Sequence, residues 1–465
     1  MDLDYKIPQW ISTQIYNENT SISDNLIRSY IRNEKKHTKY LLEGCAAYLW
    51  YMIVNKESED NIKQFLSQNN LENEFEDFIN NLIEEELISD NLNKTEKSCD
   101  NICYDEITFD ENLLKKEQVF EENLRQYAET HHYLTSLFFE LTNKCDEKCI
   151  HCYSVAGKNE ITFDEIKSVI DDAAELGVIK ITVSGGECTL NKDFLEIIKY
   201  IRKKHLSLHI YTNGQNLYDN PKLLEEILKL YPSRISLSLY SMNAKIHDKI
   251  TGIKGSQEKT LKVIKELKKR NVDVEIKSFQ TKYNCDTVDE ILDFAKENGI
   301  TASIDSILFY NKDKDNSWVQ ATENQLLKLY SNNKIPENTS LKLNIDNDFL
   351  NSGFCNAGVT TLSVNSKLEV LPCIGLYLPL GNIKTKSLKE IWNDKNQNSP
   401  LNKYKSLKRK DLKECYKHEY CKYCSYCFGK ALSESGFLKK SNICCTHAKI
   451  KMKVHDNKTK KVTLH

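Results

Sequence analysis

Cys145, Cys149 and Cys152 follow one another as Cys-x3-Cys-x2-Cys. Thiolates at such short spacing suit soft metals, and three of them on one loop can hold three irons of a four-iron cluster. The fourth iron then lacks a protein ligand, and an open position is what makes a metal centre reactive rather than structural. A zinc loop is the competing reading. Its fourth ligand would have to be His151, which sits between two of the cysteines. A second thiol-rich stretch holds Cys355, Cys373, Cys415, Cys421, Cys424, Cys427, Cys444 and Cys445. Eight thiols are the number that two fully ligated four-iron clusters need, and a zinc-ribbon-like stabiliser is the alternative. Cys99 and Cys103 form a lone pair, too little for a metal site.

Elements of regular structure must hold these groups. Strand-like runs recur at Leu137–Leu141, Ile179–Val183, Leu206–Tyr211, Ile235–Tyr240, Val272–Ile276 and Ala302–Leu308. Helical periodicity lies between them: Thr162–Leu176, opened by a Thr162-x-x-Glu165 capping box, then Phe194–Lys204, Leu223–Leu230, Lys259–Lys269 and Val288–Asn298. Six βα units predict a parallel sheet with outer helices, either a partial barrel or an open doubly wound sheet. Both place the ligand site at the carboxyl ends of the strands. The first cysteine loop begins just after the first strand. Ser184-Gly185-Gly186-Glu187 ends the second, Thr212-Asn213-Gly214 follows the third, and Ser238 lies on the fourth.

Bulk properties narrow the setting. Sixteen cysteines in 465 residues point to metal or redox use in a reducing cytosol rather than to disulfides. No apolar run approaches a membrane span of roughly 18 residues. Met1-Asp2-Leu3-Asp4 has no signal-peptide pattern, so a cytoplasmic protein without a membrane partner is expected. The net charge of −2 does not favour nucleic acid. Residues 1–90 predict a hairpin (Asn25–Tyr30 with Thr38–Leu42) followed by helices at Gly44–Val54, Ser58–Leu66 and Leu71–Leu87, a winged-helix pattern. This segment carries 8 Lys and Arg against 17 Asp and Glu, which repels phosphate. A strand edge that takes an extended peptide fits it better. Tyr48, Trp50 and Tyr51 are expected in the core of the Gly44–Val54 helix. Residues 91–132 are expected to be a linker, 311–350 a helical and loop connector, 351–448 a cysteine-rich segment with little core, and 449–465 a polar tail.

The cysteine loop, Gly185-Gly186-Glu187, Asn213-Gly214 and Ser238, taken in order at strand ends, closely resemble the radical S-adenosylmethionine (radical SAM) superfamily across about residues 135–310. The resemblance implies a partial (β/α)6 barrel over 133–310, within an α/β chain. It implies a [4Fe-4S] cluster on Cys145, Cys149 and Cys152, with S-adenosylmethionine on the remaining iron. Gly185 and Gly186 would offer backbone to the methionine amino group, with Glu187 as its charged acceptor. Asn213 and Ser238 would contact ribose or carboxylate, and His151 would pack near adenine. Lys277 could reach the carboxylate. The family usually has proline after Gly-Gly-Glu; here Cys188 stands there, read as a small buried hydrophobe. No catalytic base is implied.

Residues 351–448 resemble the SPASM extension of such enzymes, through Leu371-Pro372-Cys373, Gly381-Asn382-Ile383 and Leu388-x-x-Ile391-Trp392. That implies two auxiliary [4Fe-4S] clusters on the eight cysteines. The spacing Cys415-x5-Cys421-x2-Cys424-x2-Cys427 departs from the usual one, a glycine is missing near 368, and Cys444 and Cys445 compete for one place. Residues 1–90 resemble the leader-recognition element of peptide-modifying systems. Together these imply a maturase of cysteine-rich peptides of the sactipeptide or ranthipeptide kind. It would cleave S-adenosylmethionine reductively to a 5′-deoxyadenosyl radical and form thioethers in a ribosomally made precursor peptide bearing a leader. An external one-electron reductant of flavodoxin or ferredoxin type would supply it. The rivals are carbon–carbon cross-linking, oxidation of Cys or Ser in a protein as in sulfatase maturation, and a non-catalytic iron–sulfur scaffold or DNA-binding regulator.

Overall fold

A computed structural model describes residues 5–9, 11–17, 27–90, 125–154, 157–311, 313, 315–335 and 343–462. The amino-terminal module has three strands more than the expected hairpin. β1 (Tyr5–Lys6) pairs with β5 (Ser89–Asp90), and β2 (Ile11–Asn17), β3 (Ile27–Asn33) and β4 (Thr38–Glu43) form an antiparallel sheet in that order. The β2 run, Ile-Ser-Thr-Gln-Ile-Tyr-Asn, is too polar to announce itself. Its Ile11 is nevertheless fully buried with Trp50, Ile62, Phe65, Phe75 and Ile79 in the module's own core. Helices Gly44–Val54, Glu59–Asn69 and Glu72–Glu84 follow, the second capped by Ser58. Tyr48 and Tyr51 pack against that core, and the Trp50 indole donates to Thr13 Oγ1 at 2.9 Å. Cys99 and Cys103 lie outside the described residues.

β6 (Ser136–Glu140), β7 (Lys180–Ser184), β8 (Ser207–Thr212), β9 (Arg234–Ser238), β10 (Val274–Phe279) and β11 (Thr301–Asp305) pair in parallel in strict chain order. A doubly wound sheet reverses strand order at a switch point. This one does not, so right-handed crossovers put every helix on one side and the sheet curls into a partial barrel. Leu137, Phe139, Ile181, Val183, Leu208, Ile210, Ile235, Leu237 and Ile276 are buried with Ile166, Val169, Ile170 and Ala173 of the first helix. The Thr162–Glu165 capping box forms.

The cysteine-rich segment is not short of core. β12 (Thr361–Val364) pairs in parallel with β6, and β13 (Glu369–Leu371) and β14 (Gly381–Asn382) extend the sheet to nine strands. Leu362, Val364, Val370, Leu388, Trp392 and Phe428 are buried in the barrel's own cluster. Leu368, where a glycine was missed, adopts a left-handed φ of 64°. Nor is the carboxyl end a tail. Asn442–Val462 is one helix, with Ile450 and Val454 buried against Leu326, Leu329 and Tyr330.

The amino-terminal module sits at the end of the barrel remote from the cysteine loop. Thr13 N donates to His205 O at 2.9 Å, Gln14 Nε2 to Ala174 O at 3.2 Å and Arg32 Nη2 to Ser233 O at 3.4 Å. Ala174, His205 and Ser233 all precede strands, so they mark the amino ends. Buried Arg202 reaches across this junction to Gln9 O at 2.6 Å and Ser12 Oγ at 2.6 Å.

Candidate active site

The first cysteine loop leaves β6 at the carboxyl end of the barrel. Two glycines explain how it is seated. A Cβ on Gly185 would stand 2.4 Å from Thr142 O, and one on Gly186 would stand 2.3 Å from Lys144 O. Backbone from β7 thus lies directly on the residues leading into Cys145, and Gly186 N and Glu187 N donate to those same carbonyls at 2.7 Å. Any side chain there would separate the two segments. The loop's far side is held by Lys148 N and Ile150 N, which donate to Thr251 O and Ile250 O.

Cys149 Sγ donates to Glu147 Oε2 at 3.3 Å. Burial pushes the Glu147 carboxyl up to about 8 and the Cys149 thiol well above its ordinary range. Burial thus favours the protonated forms of Glu147 and Cys149, and a thiol must lose its proton to bind metal. Among the described residues no three His, Cys, Asp or Glu side chains converge on a point that one metal ion would fill. A four-iron cluster asks for something wider, because each thiolate binds a different iron.

Glu187 is 1% exposed, and its carboxylate is fully engaged. Oε1 accepts from Thr189 Oγ1 at 2.7 Å and Thr212 Oγ1 at 2.8 Å, and Oε2 accepts from Asn213 N at 2.8 Å. Burial raises its pKa. It ties the end of β7 to the end of β8. Asn213 Nδ2 reaches back to Asp146 Oδ1 on the cysteine loop at 2.6 Å. His151 stacks on Phe279 at 5.0 Å and meets Tyr240 edge-on at 4.8 Å. Ser238 ends β9 beside Lys277 of β10. Lys277 pairs with Glu275 at 2.9 Å. Cys188 is buried, with Sγ 3.2 Å from Tyr211 O.

Sequence reasoning missed the polar run beneath this site. His209 Nε2 meets Ser236 Oγ at 2.9 Å, Ser236 Oγ donates to Glu275 Oε2 at 2.6 Å, and Ser303 Oγ donates to Glu275 Oε1. The signal was present as polar residues alternating with buried aliphatics along β8 to β11.

The eight C-terminal cysteines gather in two adjoining sets, which meet where Cys444 hydrogen-bonds to the backbone of Cys427. Cys415, Cys421, Cys424, Cys444 and Cys445 line one cavity with Tyr416, Tyr420, Tyr426 and Lys440. Cys355, Cys373 and Cys427 form the other. Burial pushes the Cys373 thiol up to about 11, with Cys427 and Cys355 adding to it, and the three together face the Tyr404 hydroxyl. Residues up to 72 apart in sequence meet here, beside a close glycine contact: a Cβ on Gly429 would stand 2.1 Å from Gly375 O.

A parallel barrel whose first loop carries three thiols, seated on a Gly-Gly turn, defines a class of cluster-bearing enzyme. Residues 139–297 match the Radical SAM superfamily, and residues 355–428 match SPASM, an iron-sulfur cluster-binding domain. The AdoMet-dependent heme synthase of Methanosarcina barkeri is 27% identical over 340 residues, covering 66% of this chain and 95% of that protein. The antilisterial bacteriocin subtilosin biosynthesis protein AlbA of Bacillus subtilis is 28% identical over 321 residues, covering 66% of this chain and 69% of AlbA. Streptococcus suis SuiB, solved with S-adenosylmethionine, shares the fold at a TM-score of 0.54 and 17% identity, over 95% of this chain and 99% of SuiB. A second SuiB structure holds its precursor peptide SuiA.

Residues 139–297 are a radical SAM domain and residues 355–428 a SPASM domain, so the chain is a radical SAM enzyme. The first domain implies a four-iron cluster and S-adenosylmethionine, and the second implies auxiliary iron–sulfur clusters. Among the described residues no helix is long and apolar enough to cross a membrane.

Proposed function

We propose that this enzyme forms thioether crosslinks in a ribosomally made precursor peptide. One observation carries the reading: the C-terminal thiols gather in a set of five and an adjoining set of three. Four of the five suffice to ligate one auxiliary four-iron cluster fully. Cys355, Cys373 and Cys427 resemble the first loop instead, supplying three thiolates and leaving one iron for a peptide thiolate. A match to AlbA, a bacteriocin biosynthesis protein, and to SuiB, solved with a precursor peptide, supports a peptide substrate. The heme synthase and AlbA matches each cover 66% of this chain, so the choice between their chemistries rests on the thiol groups.

The residues fit the implied groups. Cys145, Cys149 and Cys152 would hold the reactive cluster, with Gly185 and Gly186 presenting backbone to the cosubstrate. When bound, that pair supplies one-electron cleavage of the sulfonium C–S bond and removal of hydrogen from an unactivated carbon. The chain orients the partners. Asn213 fixes Asp146, and His151, Phe279 and Tyr240 make an apolar wall beside the loop that excludes water. The amino-terminal module would recruit the leader along the β4 edge, which pairs only with β3 among the described residues.

Co-expression with any short cysteine-containing reading frame found beside the gene tests this. Each crosslink should remove about 2 Da, the two hydrogens lost in the cofactor-borne chemistry, and take one cysteine out of reach of alkylating reagents. The same mass loss with every cysteine still alkylated points to a carbon–carbon bond and overturns the thioether.

A further inference from the structure

Trp318 is 48% exposed, more than any other large hydrophobic side chain among the described residues. It does not stand alone. Lys282 Nζ lies 5.3 Å from the Trp318 ring and 5.4 Å from the Tyr283 ring, and Lys249 Nζ sits 3.9 Å above Tyr283. The strip runs on along the helix Ala244–Thr251 to Lys148, whose carbonyl packs 3.2 Å from the Cβ position of Gly252. Lys148, Lys249 and Lys282 are exposed. Among the described residues none of the three has a carboxylate within ion-pair distance. The neighbouring acids are already engaged. Asp286 takes Gln325 and Lys328, Asp248 takes Gly255 N and Gln257 N, and Asp315 takes Ser317 N.

This strip forms the outer wall of the first cysteine loop. On one side Ile150 N donates to Ile250 O at 2.9 Å. On the other, buried Asn316, two residues before Trp318, donates from Nδ2 to His151 O at 3.3 Å. Both flanks are thus bonded to backbone between Cys149 and Cys152.

We propose that the strip Lys148–Lys249–Tyr283–Lys282–Trp318 is the docking surface of an acidic one-electron carrier protein. It rests on the assignment of the reactive cluster to Cys145, Cys149 and Cys152. Lysines without ion-pair partners can engage an acidic partner and set its orientation, and an exposed tryptophan among them is a typical anchor once water is excluded. The step is a plain transfer: the carrier's reduced flavin or iron–sulfur centre loses one electron and the cluster gains it. No bond forms or breaks.

The test measures binding of a bacterial flavodoxin to the reconstituted full chain by calorimetry at about 20 and about 200 mM salt, either side of strong screening. K249E/K282E should weaken binding at least about tenfold at low salt and flatten the salt dependence. W318A should weaken it by about tenfold with the salt dependence kept. Dithionite-driven cleavage of S-adenosylmethionine should be unchanged in both variants. Affinity indifferent to the charge reversal overturns the proposal, as does dithionite-driven cleavage that falls in step with affinity. Dithionite-driven cleavage by the unsubstituted enzyme reports separately on the cluster assignment.

Discussion

The two thiol-rich regions solve the same problem by different routes. The first draws three cysteines from one loop and seats them with two adjacent glycines on the next strand. The second collects eight cysteines spread from 355 to 445, using a hairpin, a glycine-to-glycine contact and the final long helix. A site whose ligands are neighbours in sequence is written in its spacing. A site whose ligands are distant depends on the packing of everything between them, and so is open to damage far from any ligand.

Four variants sharpen or break that contrast. The largest effect is expected from changing Cys145, Cys149 and Cys152 together to Ala. Cleavage of S-adenosylmethionine should vanish, while iron falls only by about a third from about twelve per chain if each cluster has four irons. Iron analysis beside a 5′-deoxyadenosine assay checks this, and retained cleavage would falsify the assignment. Gly429→Ala is the matching test of the second region, since its Cβ would meet the Gly375 carbonyl. It should cost the Cys355, Cys373 and Cys427 cluster, about four irons, while dithionite-driven cleavage persists. Full iron in that variant would show that the contact does not hold the group together.

The third effect is on stability. His247 is buried, and its Nδ1 accepts from Tyr240 N at 3.1 Å beside the first loop. Burial lowers its pKa to about 4 from 6.5. The folded state therefore stays neutral where the unfolded state takes up a proton. The contribution is intact above pH 6.5 and is lost as pH falls toward 4, by up to about 3 kcal/mol from the shift alone. The urea midpoint should fall across that window in the native chain and fall less in His247→Asn. Equal slopes in the two proteins would remove His247 from the account. The smallest effect concerns Leu368. A left-handed leucine costs about 1–2 kcal/mol, while burying its side chain returns about 1.5–3 kcal/mol. Leu368→Gly should therefore shift stability by only about 1 kcal/mol, downward, as read by the thermal midpoint. A large loss would mean that the turn depends on the side chain far more than on its backbone.

Much of the barrel was legible. The helix at Gly44–Val54 has the residue limits that its apolar run indicates, and each of the six barrel strands overlaps its expected run. What was missed shares a cause. β2 and the carboxyl-terminal helix are polar on average, and their few apolar residues become significant only when a partner covers them. Ile450 and Val454 stand one helical turn apart amid lysines, a pattern that reads as a tail until Leu326 and Leu329 are placed beside it. The polar interior around Glu275 was hidden likewise, because a strand shows its alternation but not which face is a barrel's inside.

The sequence by itself determined the class of chemistry. Thiol spacing, the Gly-Gly turn and the βα rhythm are short-range properties, each enforced within one or two elements. Tertiary structure decided which distant groups meet. It placed Asn213 against Asp146, committed the Glu187 carboxylate to β8, and sent the amino-terminal module to the opposite end of the barrel. It also gathered five of the eight cysteines around one cavity. Those outcomes follow from sheet order and close packing, where a backbone approach of a few ångströms at Gly186 or Gly429 sets the position of ligands many residues away.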